Sequence, residues 1–247
     1  MRPSIAAVAL TALAAAWPAA TGLDAGADEI VRFAVIGDNL YGSQRPADFV
    51  DKFERPYAPL LQAGVPFYAA LGNHDQPSNR DYPLFNMGAE RYYTFVKGPV
   101  RFVVGDTNLM DTAQLAWIEA TLQAAREPWK IVFFHHPLYS DGDRHGSNLE
   151  LRPLLEPLLV RYDVNVVLSG HDHFYQRIKP QQGITYFVEG SSGQLRKGGV
   201  TPTEMSATAF TEDQTFMLVE IAGDRFTFQT ITRDGRVVDL GELPRVH

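Results

Sequence analysis

The chain has 247 residues, 45% of them hydrophobic and 21% charged, with a formal net charge of -7. That length suits one domain with a sizeable core, and the negative balance excludes broad nucleic-acid binding, which needs many Lys and Arg to neutralise phosphates. The lack of cysteine excludes disulfides, thiolate zinc sites and iron–sulfur clusters, and restricts any metal to nitrogen and oxygen ligands.

Taken in chain order, the N-terminus joins Arg2 to an apolar run over residues 5–17, followed by small residues at Ala19-Ala20 and Ala25-Gly26-Ala27. This is the pattern of a secretory signal peptide spanning 1–27. The run is short for a membrane span of about 20 residues, so the expectation is export without a stable membrane span. Residues 28–247 then form one domain, with 215–247 as its C-terminal strands.

Residues 31–36 read as a buried strand that stops at Gly37-Asp38, and 65–71 as the next strand, stopping at Gly72-Asn73. Helical spacing covers 49–61. Paired strands are predicted over 92–96 and 100–104. Residues 111–125 form the clearest amphipathic helix, with Leu115, Ile118 and Leu122 on one face and Asp111 near its start. A strand over 130–134 ends at His135. Residues 149–162 are helical despite Pro153 and Pro157, and a strand over 164–168 ends at Gly170-His171. Beyond this point strands dominate, over 184–188, 215–221, 225–232 and 237–240, with turns at Gly223-Asp224 and Asp234-Gly235. Early alternation followed by late strands predicts two packed sheets with helices outside, an α/β class of αββα type.

Four predicted strands end in loops that carry metal-binding side chains. These loops are Gly37-Asp38-Asn39-Leu40-Tyr41, Gly72-Asn73-His74-Asp75, Val132-Phe133-Phe134-His135 and Gly170-His171-Asp172-His173. On one edge of one sheet such loops would converge, and the glycines would let the backbone approach an ion. Each loop alone has a plainer reading: Gly-Asp is a common turn, Asn73-His74-Asp75 fits an Asx turn, and His135-His136 fits a buried, hydrogen-bonded pair. His171-x-His173 puts two imidazoles on one side of an extended segment. His74, His135, His171 and His173 are four of the seven histidines, and their joint placement points to a metal centre.

In this order the strings Gly-Asp-x-x-Tyr, Gly-Asn-His-Asp, Val-x-x-His and Gly-His-x-His resemble the calcineurin-like metallophosphoesterases, with Tyr41 indicating the purple-acid-phosphatase-like branch. The resemblance implies a two-sheet sandwich holding two divalent or trivalent ions, Fe with Zn, Mn or Fe. It implies that Asp38 bridges them, that Asn73, His135 and His171 hold one, and that Tyr41 and His173 hold the other. His74 would be the catalytic proton donor beside the phosphate. The implied activity is hydrolysis of small phosphate esters, chiefly monoesters, with phosphodiesters or nucleotides as the alternative substrate class.

Relatives carry a further Asp motif on a first strand, then a helix and a strand, before Gly-Asp-x-x-Tyr. Here 31–36 runs straight into that motif, so one strand–helix unit and one terminal carboxylate are missing. The alternative expectation is therefore an impaired remnant that retains a single ion and binds phosphate without turnover. His145, Arg177 and Arg196 read as exposed loop or surface residues.

Overall fold

The computed structural model describes residues 6–10 and 30–245. Its strands are β1 (Ala6–Leu10), β2 (Ile30–Ile36), β3 (Phe67–Ala70), β4 (Tyr93–Lys97), β5 (Val100–Val104), β6 (Trp129–Phe133), β7 (Val166–Ser169), β8 (Tyr175–Ile178), β9 (Thr185–Glu189), β10 (Ser206–Phe210), β11 (Thr215–Ala222), β12 (Arg225–Thr232) and β13 (Val237–Pro244). The α-helices are α1 (Pro46–Phe49), α2 (Ala58–Gln62), α3 (Thr112–Ala124) and α4 (Arg152–Arg161). Sheet one has the order β13-β12-β11-β1-β2-β3, and sheet two the order β10-β8-β9-β7-β6-β5-β4.

The alternation of side chains along each strand builds three apolar layers. Phe102, Ile131, Phe133 and Leu168 of sheet two meet Ile36, Met217, Val219 and Phe228 of sheet one between the sheets. The intervening residues Val103, Val132 and Val167 face the other way, onto Ile118 and Leu122 of α3 and Leu155 and Leu159 of α4. On the far side of sheet one, Val35, Phe67 and Ala69 pack against Phe53, Tyr57 and Phe85. Strands β5, β6 and β7 are thus covered on both faces, which is why they read as continuous apolar runs. The result is the expected αββα sandwich.

Helix α3 begins at Asp111, whose side chain accepts from the Gln114 N–H and satisfies one free donor of the first turn. The helix expected over 49–61 is instead α1, a π-helical turn over Val50–Glu54 and α2. Pro56 explains the break, because it lacks an N–H with which to continue the helical hydrogen bonds, although Arg55 before it stays helical (φ -65°, ψ -48°). The Arg55 N–H bonds back to Val50 O at 2.9 Å, five residues away.

Strand β2 leads directly into the Gly37-to-Tyr41 loop, with no helix or strand between. The neighbouring place in sheet one is filled by β1, parallel to β2 and antiparallel to β11. Apart from Ala6–Leu10, the stretch 1–27 read as a signal peptide lies outside the described residues.

Candidate metal centre

The loops following β2 and β3 belong to sheet one, and those following β6 and β7 to sheet two. The ligand-bearing loops therefore do not share one sheet, as the sequence reading expects. They meet because both sheets direct these strand ends to the same end of the sandwich. Two of the loop residues, Asp38 (φ 52°) and His171 (φ 67°), occupy the left-handed region, which costs energy for side chains other than Gly and clusters at functional sites. Close approach is enforced by glycine. A Cβ on Gly72 would lie 2.1 Å from the Asp38 N, and one on Gly37, 2.4 Å from His135 Nδ1.

Asp75 joins the two sheet-one loops by accepting from the N–H groups of Gly72 (2.9 Å), Asn39 (3.1 Å) and Leu40 (3.2 Å). Burial pushes its carboxyl up to about 6 in spite of these hydrogen bonds.

All seven residues singled out in the sequence come together. Asp38 Oδ2 accepts from the Tyr41 hydroxyl at 2.9 Å and lies 3.3 Å from His135 Nε2. Tyr41 OH is 3.1 Å from His173 Nε2. His135 Nε2 is 3.0 Å from Asn73 Oδ1 and 3.1 Å from His171 Nδ1. The His74 N–H donates to Asp38 Oδ1 at 2.9 Å, and its ring lies 4.6 Å from that of Tyr41.

This donor set fits a cation. His135 is 1% exposed, and its Nδ1 faces Ile36 O at 2.9 Å, so a neutral ring donates there and turns the Nε2 lone pair inward. Asn73 Oδ1, His171 Nδ1 and Asp38 Oδ2 gather around that same nitrogen at 3.0–3.3 Å, a set of atoms that a positive ion among them can bind together. One ring nitrogen from each of His135, His136 and His171 also lies within 4.8 Å of the others. Burial, followed by the neighbouring imidazoles, lowers His171 to about 3. Burial and then Arg196 lower His173 to about 4. Both rings are thus neutral, the form that binds metal. Burial alone would raise Asp38, but the facing His135 ring, the His74 N–H and the Tyr41 hydroxyl outweigh it and hold the carboxyl well below the usual range.

The structure adds residues that the motifs do not mark. His136 Nδ1 lies 2.9 Å from the Thr107 hydroxyl, and burial lowers its ring to about 4. The His145 ring stands 4.1 Å from that of His171, brought there by a loop whose Ser140 hydroxyl and Gly146 N–H both bond Asp172 Oδ2. Position after strand end β7 was the only sequence signal for Asp172. Glu189, at the end of β9, lines the same cavity as Asp38, Tyr41, His135, His171 and His173, and burial pushes its carboxyl up to about 8. Arg196 acts on His173, whereas Arg177 is committed to Asp239 at 2.7 Å, away from the centre.

Residues 13–175 match the family model described as calcineurin-like phosphoesterase. The chain is 28% identical to the human tartrate-resistant acid phosphatase type 5, covering 89% of this chain and 80% of that protein. That alignment runs over 264 positions, more than the 247 residues available, so it places gaps in this chain. The rabbit protein of the same name is also 28% identical, over 63% of this chain, and the chain spans 59% of its length. The solved purple acid phosphatase of yellow lupin seeds overlays with a TM-score of 0.70 at 22% identity, covering 87% of this chain and 47% of that one. The chain belongs to the calcineurin-like phosphoesterase family, in its purple-acid-phosphatase-like branch.

Proposed function

We propose that this chain is an exported, metal-dependent hydrolase of small phosphate esters, chiefly monoesters, working through a dinuclear centre. The observation that carries the reading is the gathering of Asp38, Asn73 and His171 ligand atoms around His135 Nε2, with Tyr41 bonded to the same Asp38 and His173 bonded in turn to Tyr41. In this reading Asp38 serves both ions, Asn73, His135 and His171 hold one, and Tyr41 and His173 hold the other. The chemistry that the ions supply when bound is polarisation of the phosphate and activation of water near neutral pH.

The chain's own groups do the rest. His74 is exposed at the rim, with its backbone tied to Asp38, and delivers a proton to the leaving oxygen. The half-buried rings of Tyr41 and His173 shield one side of the phosphate from bulk water. Arg196, which bears electrostatically on both, attracts the substrate's negative charge. Among the described residues no helix is long and apolar enough to cross a membrane.

Phosphate release from an aryl phosphate, with Fe, Zn or Mn supplied, tests the reading. Folded protein that turns over with none of the three overturns it. His74→Ala is expected to lower kcat by about 100-fold while leaving the metal content unchanged. A second reading, a single-metal remnant that binds phosphate without turnover, is favoured by one observation: of the residues bonded to Tyr41 and His173, Asp38 is the carboxylate.

A further inference from the structure

Strand β9 lies beside β7 in sheet two, with Val188 level with Ser169, so Glu189 stands level with the start of the Gly170-His171-Asp172-His173 loop. Phe187 packs into the core between the sheets, and Glu189, two residues on, faces the same way. Its carboxyl is 0% exposed. Oε1 accepts from the Thr215 hydroxyl at 2.7 Å, and Thr215 Oγ1 in turn lies 2.6 Å from Ser191 Oγ. Oε2 is buried with no hydrogen-bond partner, and Glu189 is among the residues that line the cavity shared by Asp38, Tyr41 and His173.

A structural role does not account for this placement. A buried carboxyl is ordinarily paired with a cation or hydrogen-bonded through both oxygens. Among the described residues no Lys, Arg or His forms an ion pair with Glu189. Beside the cavity stands a carboxyl with one oxygen left to bind and the other held by the Thr215 hydroxyl, itself bonded to Ser191, as the outer partners of a metal ligand orient it. Its location is also specific. Thr215 opens β11, two residues before Met217, which pairs antiparallel with Leu10 at the end of β1. The carboxyl therefore reaches from sheet two to the position just past the end of β1, where a carboxylate carried by a first strand would emerge.

We propose that Glu189 is the terminal carboxylate ligand of the Tyr41–His173 ion, supplied from β9 in place of the absent first-strand Asp. This inference rests on the dinuclear reading above. It makes that half of the site Asp38, Tyr41, His173 and Glu189, matched in ligand number to the Asp38, Asn73, His135 and His171 half. Oxygen-rich coordination suits the harder, more highly charged ion of the pair.

The test compares wild type with Glu189→Gln, which keeps the shape and an oxygen acceptor for Thr215 but removes the charge. Full-length protein is stripped with chelator and titrated with Mn(II) by calorimetry, and bound metal is counted by elemental analysis. Electron paramagnetic resonance then distinguishes a coupled Mn pair from an isolated ion. The expected result is two ions in wild type and one in Glu189→Gln, with the second site weakened by on the order of 100-fold and the first unchanged. Should the Gln variant fail to fold, Glu189→Ser supplies the same comparison, and added formate is expected to restore its second ion. Two ions of unchanged affinity in Glu189→Gln overturn the assignment while leaving the dinuclear reading intact. One ion in both proteins overturns the assignment and favours the remnant, and no bound metal in wild type overturns the dinuclear reading as well.

Discussion

Asp38 concentrates the demands on this site: it sits at positive φ and bonds Tyr41, His74 and His135. Asp38→Asn removes the charge shared by both halves and is expected to abolish binding of both ions, measured as metal per chain. Tyr41→Phe is expected to bleach the visible absorption of iron-loaded protein while sparing the Asn73–His135–His171 ion. A colourless wild type with a full iron complement contradicts that role for Tyr41. Glu189 also predicts a pH effect in metal-free protein. Its folded pKa is raised to about 8, above an unfolded value of about 4.3, so the folded state holds the proton more tightly. Its contribution is complete below the unfolded value and declines as pH rises towards 8. Chelator-treated wild type should therefore lose stability across that window in denaturant titrations, and Glu189→Gln should show a shallower decline. Equal slopes contradict the assignment of the raised group. The seven motif residues were legible because each follows a predicted strand end. Glu189 was not, since Glu-Gly after an apolar run reads as an ordinary turn, and its burial depends on β11 of the other sheet. His145 was not, since its loop is folded by Asp172, some 26 residues away.

The elements with clear apolar periodicity were equally legible, whereas β8 and β10 escaped notice because of their polar residues. Strand β8 carries Gln176 and Arg177, satisfied by Asp141 and Asp239, and β10 is a half-buried edge strand of small and polar residues. Neither presents the alternating hydrophobicity that identifies a strand. Strand β1 raises a sharper question, because Ala6–Leu10 lies inside the predicted leader and also joins β2 to β11. Cleavage would remove it and leave two strands with unpaired edges. A chain starting at Asp28 is expected to melt at least about 5 °C below the full chain. An unchanged melting temperature would show that sheet one holds without β1, and N-terminal sequencing of exported material would show which form the cell retains.

At the scale of the whole molecule, the two sheets are joined by apolar packing and by polar links, among them one between β13 and β8. Asp239 of β13 accepts from Arg177 at 2.7 Å and from the Tyr175 hydroxyl at 2.7 Å, both on β8. Asp239→Ala strands a half-buried guanidinium and a buried hydroxyl, and is expected to cost about 3 kcal/mol in chemical denaturation with no change in metal content. The αββα order and the family were readable from composition, strand spacing and the four strings together. The division of the site between two sheets was not, because strand order depends on pairings remote in sequence. The account stands on metal-dependent phosphoester hydrolysis at this junction, and the most direct measurement is phosphate release from p-nitrophenyl phosphate before and after chelation. The predicted result is no turnover by stripped wild type, recovery on adding Fe, Zn or Mn, and no recovery in Asp38→Asn. Turnover that survives chelation, or that Asp38→Asn recovers as fully as wild type, would contradict it.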